Sequence, residues 1–410
     1  MRISHLSLTN FRNYTRLELD FPPGVVILQG DNAQGKTNLL EAVYLLSRLR
    51  SPRTGTDREL VNWLALEEDL PFARLVARVE KGGEKTALET SSIELSLVQN
   101  HTQGLEANGS ALRKSIRVNG VNRRAPDAVG LLNAVLFLPQ DIELVAGSPS
   151  GRRRYLDDTI CQVDAQYSRE LQSYTRVLTE RNCLLKSMRG RGYDPAELAF
   201  WDQHLVEHGA YLTARRQQVI RELDEAAQRI HLRLTGEAER LRLEYDASVH
   251  REPRPGAALQ MALAMESDAS PARNATARDV AAVFTAQLRD LRGKEVEQGM
   301  SLLGPHRDEL RFRVNGVDMN IYGSRGQQRT TALSLKLAEV EWLTQQRQDK
   351  PVLLLDDVIS ELDAPHRSQL LAAIDQAQQV LMTTTDLLHY SEEFLASATL
   401  WRVTAGRIGD

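Results

Sequence analysis

Eight residues near the amino terminus, Gly30, Asp31, Asn32, Ala33, Gln34, Gly35, Lys36 and Thr37, have the types and spacing of a phosphate-binding loop, with Asn38 directly after it. Gly30 and Gly35 let the backbone curl so that successive N–H groups face one anion. The helix expected to follow offers the positive end of its dipole to the same charge. Lys36 is expected to reach the β- and γ-phosphates, and Thr37 to ligate Mg²⁺. Chance alone should produce this pattern in roughly one per cent of chains of this length. An acidic pair, Asp356 and Asp357, closes the run PVLLLDD near the other terminus. Asp356 is expected to hold Mg²⁺ through water, and Asp357 to orient or deprotonate an attacking water.

A third group lies in YGSRGQQRT, where Ser324, Gly326 and Gln327 sit just before an amphipathic helix. A small hydroxyl and free backbone N–H groups at a helix start form a second phosphate-binding surface, distinct from the first. Ser360-Glu361-Leu362-Asp363 follows the acidic pair. Because the two halves of the phosphate site stand at opposite ends of the chain, the fold must bring them together, and everything between is an insertion.

The positioning elements can be read from periodicity. Val25 to Leu28 is a buried-strand run, and Leu39, Leu40, Val43, Leu46 and Leu49 recur at helical spacing behind the loop. Val352 to Leu355 is a second β-run, whose carboxyl end is where open α/β sheets place ligand groups. Three regions separate: residues 1–148, an amino-terminal half-head with a β-rich sub-lobe; 149–300, a helical insertion; and 301–410, the carboxyl-terminal half-head. In the first, the polar stretch from Lys81 to Arg124 carries strand-like alternation and an Asn119-Gly120 turn. In the second, apolar residues from Leu156 to Leu185 and from Trp201 to Ile230 are spaced by threes and fours around the breaker RGRGYDP. Two such helices make an antiparallel arm, the first of them roughly 50 Å long. Arg251 to Ala277, rich in Pro, Ala and Ser, is expected to be a flexible excursion, with one more helix near Val280 to Val296. Leu310, Phe312 and Val314, an Asn315-Gly316 turn, then Val317, Met319 and Ile321 predict a hairpin. The fold class is α/β.

Composition bounds the partners. The chain has 410 residues, 42% of them hydrophobic, a formal net charge of −4 and a pI near 6.2, so any DNA surface must be a local basic patch. Cys161 and Cys183 lack metal-site spacing and point to a reducing compartment. The start MRISHLSLTN lacks the apolar core of a signal peptide and no apolar run approaches a membrane span, so a cytoplasmic protein without a membrane partner is expected.

Along nearly its whole length the chain resembles the RecF family of bacterial recombinational-repair ATPases. The resemblance rests on LTNFRNY (Leu8 to Tyr14), the phosphate loop continuing into TNLLEAVYLLS, FLPQDIELVAGSPSGRRRYLD (Phe137 to Asp157), SLLGPHRDEL (Ser301 to Leu310), GSRGQQRT and LLLDDVISELD. Departures are small: Ala33 replaces a more usual glycine, and the stretches Lys81 to Arg113 and Arg251 to Ala277 are longer than typical. The resemblance implies an ABC-type ATPase head assembled from both chain ends, and an ATP-dependent DNA-binding homodimer with slow, DNA-stimulated hydrolysis. It implies action at gapped single-strand/double-strand junctions with RecR and RecO, leading to the loading of RecA. Carried onto this chain, Lys36 and Thr37 bind nucleotide and metal, and Gln140 takes the place of the Q-loop glutamine. Ser324 to Gln327 act on the partner's nucleotide, Asp363 belongs to the D-loop, and Arg12 lies near the phosphates.

For DNA, the densest basic cluster is Arg152, Arg153 and Arg154, and Lys114, Arg117, Arg123 and Arg124 gather near the Asn119-Gly120 turn; phosphate contacts need only positive charge at the right separation. Two alternatives share the head. A transporter motor would have no need of the arm and would normally carry a histidine where Thr385 stands. An SMC-like structural ATPase would need hundreds of residues of heptads and a hinge.

Overall fold

The computed structural model describes residues 1–67, 70–82, 89–99, 112–190, 194–249 and 276–409. Its central sheet has six strands in the order Arg407–Gly409, Thr399–Thr404, Gly24–Gln29, Gln379–Thr384, Val352–Asp356, Ala134–Phe137. Gly24–Gln29 runs parallel to both neighbours, with Ile27 opposite Met382 on one side and Leu400 on the other. The strand before the phosphate loop is thus inserted between two strands from the far end of the chain. Residues of Gln379–Thr384 and Ala134–Phe137 are buried throughout, as are Val352 to Leu355 between them, which is why Val352 to Leu355 reads as an unbroken apolar run and not as alternation.

A second sheet is antiparallel, in the order Tyr14–Asp20, Arg2–Phe11, Phe72–Lys81, Glu89–Gln99, Leu112–Val118, Val121–Arg123. Its inner face packs on the helix Lys36–Arg48: Leu6, Leu8, Leu75 and Leu95 share one core with Leu39, Val43 and Leu46 of the helix and with Val26 and Leu354 of the central sheet. The hairpin at Asn119-Gly120 turns with φ of 50° and 78°, the left-handed pair that a two-residue turn of this kind requires. Within the polar stretch from Lys81 to Arg124, residues 83–88 and 100–111 lie outside the described residues.

The insertion holds three helices in succession, Pro149–Cys161, Ala165–Met188 and Pro195–Leu234. The single first helix of roughly 50 Å expected from the apolar spacing is corrected to two. Asp164 stops the first run by capping the second, accepting the Tyr167 N–H at 2.8 Å. The arm's helices have 24 and 40 residues, or about 36 and 60 Å. A strand, Leu241–Asp246, also lies in the region read as helical; it pairs with Glu309–Val314, which pairs in turn with the short Val317–Asp318. The expected hairpin therefore ends early: Met319–Tyr322 is a helical turn, started by the Asp318 carboxylate accepting the Asn320 N–H. Most of the excursion expected at Arg251 to Ala277 lies outside the described residues, and the helix Ala277–Gln298 follows it behind a Thr276/Asp279 capping box.

Where arm and head meet, charges are buried in pairs. The Arg181 guanidinium is wholly buried and is met by Asp202 at 2.9 Å, Glu295 at 2.6 Å and Ser301 Oγ at 2.7 Å. Arg216 is held by Asp157 and by the Pro305 carbonyl, both at 2.7 Å. Both cysteines are unpaired, and among the described residues no helix is long and apolar enough to cross a membrane.

Candidate nucleotide site

The loop from Gly30 to Thr37 leaves the carboxyl end of Gly24–Gln29 and opens the helix Lys36–Arg48. Its glycines are there for space as well as curvature. A Cβ on Gly30 would stand 2.4 Å from the Val403 carbonyl oxygen, and one on Gly35, where φ is 111°, would stand 2.4 Å from Asn13 Nδ2. Ala33, at φ 63°, occupies a left-handed position that explains why glycine is the more usual residue there. Gln34 is held from the carboxyl-terminal side: its side-chain oxygen accepts the Ala405 N–H at 2.6 Å and its carbonyl the Gly406 N–H at 2.9 Å. Asp31, Asn32 and Ala33 are exposed at the tip.

Lys36 is 7% exposed, and its Nζ donates to the carbonyls of Gly30 at 2.5 Å and Asp31 at 2.8 Å. Burial lowers the pKa of this ammonium, while Asp357, Asp356 and Asp31 pull it back up. Thr37 Oγ1 donates to Asp356 Oδ1 at 2.8 Å, bridging positions 319 residues apart, and Thr383 Oγ1 donates to the same oxygen at 2.8 Å. Asp357 has φ of 52°, a left-handed conformation uncommon outside glycine, asparagine and aspartate, and its N–H donates to Thr383 Oγ1 at 3.0 Å. Ser360 Oγ lies 3.2 Å from the Asp357 carboxylate. Gln140 is exposed on the turn Pro139–Ile142, just after the strand whose Phe137 pairs with Leu355.

Ser324, Gly326, Gln327 and Asp363 gather at a separate place. Ser324 caps Arg325–Arg347: its hydroxyl accepts the Gln327 N–H at 3.2 Å, and the Gln327 side chain accepts the Ser324 N–H at 3.2 Å. Gly326, Gln327 and Asp363 line a cavity of about 610 Å³ with Leu234, Glu239 and His366 of neighbouring elements.

Two expected site residues have other engagements. Arg12 grips Glu41 with two hydrogen bonds, at 2.9 and 2.7 Å, and donates to the Glu59 carbonyl at 2.8 Å. Arg152 is corrected from a DNA contact to a buried brace: it is 5% exposed and bonded to Glu309 at 2.7 Å and to the Gly147 carbonyl at 2.8 Å. Arg153 is half-buried and donates to the Asp308 carbonyl at 2.8 Å, whereas Arg154, Arg123 and Arg124 are exposed.

Residues beside the site went unread in the sequence. Asn13, next to Arg12, donates to the Gln34 carbonyl at 3.2 Å and accepts from Asn38 at 2.8 Å. Arg53 lies 3.4 Å from the Asn38 side-chain oxygen. The order Arg-Asn within FRNY was the available signal, but nothing local says which of the two turns toward the loop.

The triplet His306-Arg307-Asp308 acts as a clasp between arm and head. Burial pushes the His306 imidazole down to about 4, so the ring is neutral; the Ser301 carbonyl, 3.2 Å away, can only accept and therefore takes Nε2–H, which leaves Nδ1 to accept from the Tyr174 hydroxyl on the arm at 2.6 Å. Asp308 is wholly buried and accepts from the Tyr245 hydroxyl and, at 2.7 Å, from the Ser248 N–H.

Comparison with known proteins agrees with this geometry. The family described as RecF/RecN/SMC N terminal domain matches residues 2–405. The DNA replication and repair protein RecF of Chloroflexus aurantiacus is 42% identical over 419 residues, covering 100% of this chain and 99% of the relative. That of Roseiflexus castenholzii is 42% identical over 417 residues, with the same coverage. Among solved structures, the recombination mediator protein RecF-ATPrS of the RecFOR pathway superposes with a TM-score of 0.80 at 29% identity, covering 99% of this chain and 97% of that one. RecF-ATP of the same pathway superposes at 0.79 and 29%, covering 99% and 96%. The chain belongs to the RecF family of DNA replication and repair proteins and is built on an ABC-type ATPase head.

Proposed function

We infer that this chain binds ATP with Mg²⁺ at the Gly30–Thr37 loop, pairs with a second copy around the nucleotide, and uses the pair to hold DNA. The observation that supports this most is the 2.8 Å hydrogen bond from Thr37 to Asp356. A hydroxyl and a carboxylate meeting at the end of a phosphate loop form a small set of hard oxygen donors, to which the resemblance would add the Gln140 amide, and such a set suits Mg²⁺. Among the described residues no group of three or more His, Cys, Asp or Glu could hold a metal by itself, so a cation here would complete its shell with phosphate and water oxygens. Held by these residues, a divalent cation would supply charge neutralisation at the phosphates.

The protein groups divide the remaining work. Backbone N–H groups of the loop and the Lys36 ammonium hold the β- and γ-phosphates. Asp357, fixed in an unusual backbone conformation with Ser360 beside it, orients or deprotonates the attacking water. The Ser324–Gln327 turn, which lines a cavity apart from the phosphate loop, serves the nucleotide of the second copy, so ATP joins two heads. The solved RecF structures with ATP and ATPrS support ATP as the nucleotide.

Slow hydrolysis, stimulated by DNA, separates the heads and releases the duplex. In the cytoplasm the proposed target is duplex next to single strand, with RecR and RecO as partners in delivering RecA. Exposed Arg123, Arg124 and Arg154 supply backbone contacts. The test is titration of labelled ATP, with and without Mg²⁺, against the parent, Lys36→Met and Thr37→Ala. Lys36→Met should weaken binding about tenfold or more, and Thr37→Ala should remove the Mg²⁺-dependent part. Equal affinities in all three would overturn the site.

A further inference from the structure

Two loops that the inferred dimer would present to its partner are tied together by side chains. Thr330 Oγ1 lies 3.0 Å from the Gly326 carbonyl and 2.8 Å from His366 Nε2. The other ring nitrogen, Nδ1, is 2.5 Å from Asp363 Oδ1, and that same oxygen accepts the His366 backbone N–H at 3.1 Å. With a proton on each ring nitrogen the chain is continuous: Nδ1–H donates to the Asp363 carboxylate, Nε2–H donates to the Thr330 oxygen, and the Thr330 hydroxyl donates to the Gly326 carbonyl. Backbone and side-chain hydrogen bonds from His366 hold the Asp363 carboxyl below its usual range, which keeps it an acceptor.

The surroundings explain why this chain matters. A cavity of about 610 Å³ opens between the Gly326–Gln327 turn, the Asp363 loop and the end of the long arm helix. A gap of this size carries little dispersion attraction across it, so close packing does not set the separation of the two loops along that edge. Thr330 is 7% exposed, and hydrogen bonds shielded from water hold geometry better than exposed ones. An imidazole suits the task because its two nitrogens face opposite ways on a rigid ring.

The geometry points to His366 as a positioning residue that locks the Ser324–Gln327 turn to the D-loop, so that both meet a second copy of the chain as one surface. This rests on the ATP-dependent dimer inferred above. With the lock broken, Ser324 and Gly326 lose their fixed placement relative to Asp363. Misplacement of reacting groups by about 1 Å can cost about 100-fold in rate. The phosphate loop, which the lock does not touch, keeps its affinity.

Three variants test this: Thr330→Val removes the hydroxyl at constant shape, His366→Phe keeps the ring volume, and Thr330→Ser retains the hydroxyl. Hydrogen exchange is read first, on protein without nucleotide. The amides of Gln327 and Gln328, both bonded to Ser324, should exchange about fivefold faster or more in Thr330→Val and His366→Phe, and near the parental rate in Thr330→Ser. Steady-state hydrolysis should then show kcat reduced about tenfold or more with KM within about twofold, again with recovery in Thr330→Ser. Parental exchange in both disrupted variants overturns the lock. Faster exchange with parental kcat and dimer assembly overturns the positioning role and leaves a local brace. Failure of the parent itself to dimerise in ATP counts against the dimer; it is recognised because the exchange result does not depend on assembly, and the functional half of the inference then falls with it.

Discussion

Replacing Arg152 by alanine should destabilise the protein and leave its hold on DNA unchanged, whereas replacing Arg154 should do the reverse. Arg152 is 5% exposed, and its guanidinium donates to Glu309 at 2.7 Å, to the Gly147 carbonyl at 2.8 Å and to the Val145 carbonyl at 3.3 Å. Removing one member of a buried pair costs about 3–5 kcal/mol, because the other charge stays behind uncompensated. Here the loss is softened: the Asn320 amide still donates to the Val145 carbonyl at 3.0 Å, and the Leu310 N–H still donates to Glu309 at 3.0 Å. The lower end, about 3 kcal/mol, is therefore expected, which lowers the melting temperature by roughly 6–12 °C for a body of a few hundred residues. Arg154 is exposed, and its truncation should leave melting within about 1 °C. Removing a side-chain charge that neutralises one phosphate should reduce the slope of log affinity against log salt by about 0.9. Thermal unfolding followed by circular dichroism, and duplex binding by fluorescence anisotropy over a salt series, separate the two effects. If Arg152→Ala melts like the parent and flattens the salt slope, the buried brace is a wrong description of that side chain.

Three further outcomes follow from the geometry. His306 is pushed down to about 4 from an ordinary value near 6.5, so the folded state binds fewer protons than the unfolded one between those values. Its contribution to stability is present above about pH 6.5 and is lost as pH falls through about 4. In His306→Gln, the pH dependence of stability across this window should therefore be shallower than in the parent, by up to about 1.4 kcal/mol per pH unit, as read by denaturant titration at each pH. Asp357→Asn should reduce hydrolysis about 100-fold or more while leaving ATP affinity close to parental; turnover at the normal rate would remove Asp357 from the chemistry. Ala33→Gly relieves a left-handed alanine at φ 63°, so melting should rise by an amount equivalent to about 1 kcal/mol or less, with nucleotide affinity unchanged.

What could be read from the sequence was what local chemistry dictates. A backbone packed as closely as it is at Gly30 and Gly35 needs glycine, and an acidic pair closing an apolar strand stands out from its surroundings, so both halves of the site carry their own signature. That they meet, at Thr37 and Asp356, was expected from their types and is a 2.8 Å contact in the fold. Features set by tertiary context were illegible. The apolar spacing runs through Ile160, Val163 and Tyr167 without a gap, yet the helix breaks there because Asp164 caps a new one. The strand Leu241–Asp246 is too short for its alternation to stand out beside a 40-residue helix. Arg152 looks like the exposed Arg154 in sequence, since the Glu309 that buries it lies 157 residues away. The Thr330–His366 contact, across 36 residues and two elements, leaves no pattern in either segment.

The central claim is that ATP joins two heads through the Ser324–Gln327 turn. Multi-angle light scattering on the parent chain, in ATP with Mg²⁺ and then in ADP, measures it most directly. The predicted result is a dimer in ATP and a monomer in ADP, with Ser324→Arg remaining monomeric in ATP although it still binds the nucleotide. A parent chain that keeps the monomer mass at saturating ATP, or a Ser324→Arg variant that dimerises as readily as the parent, would contradict it.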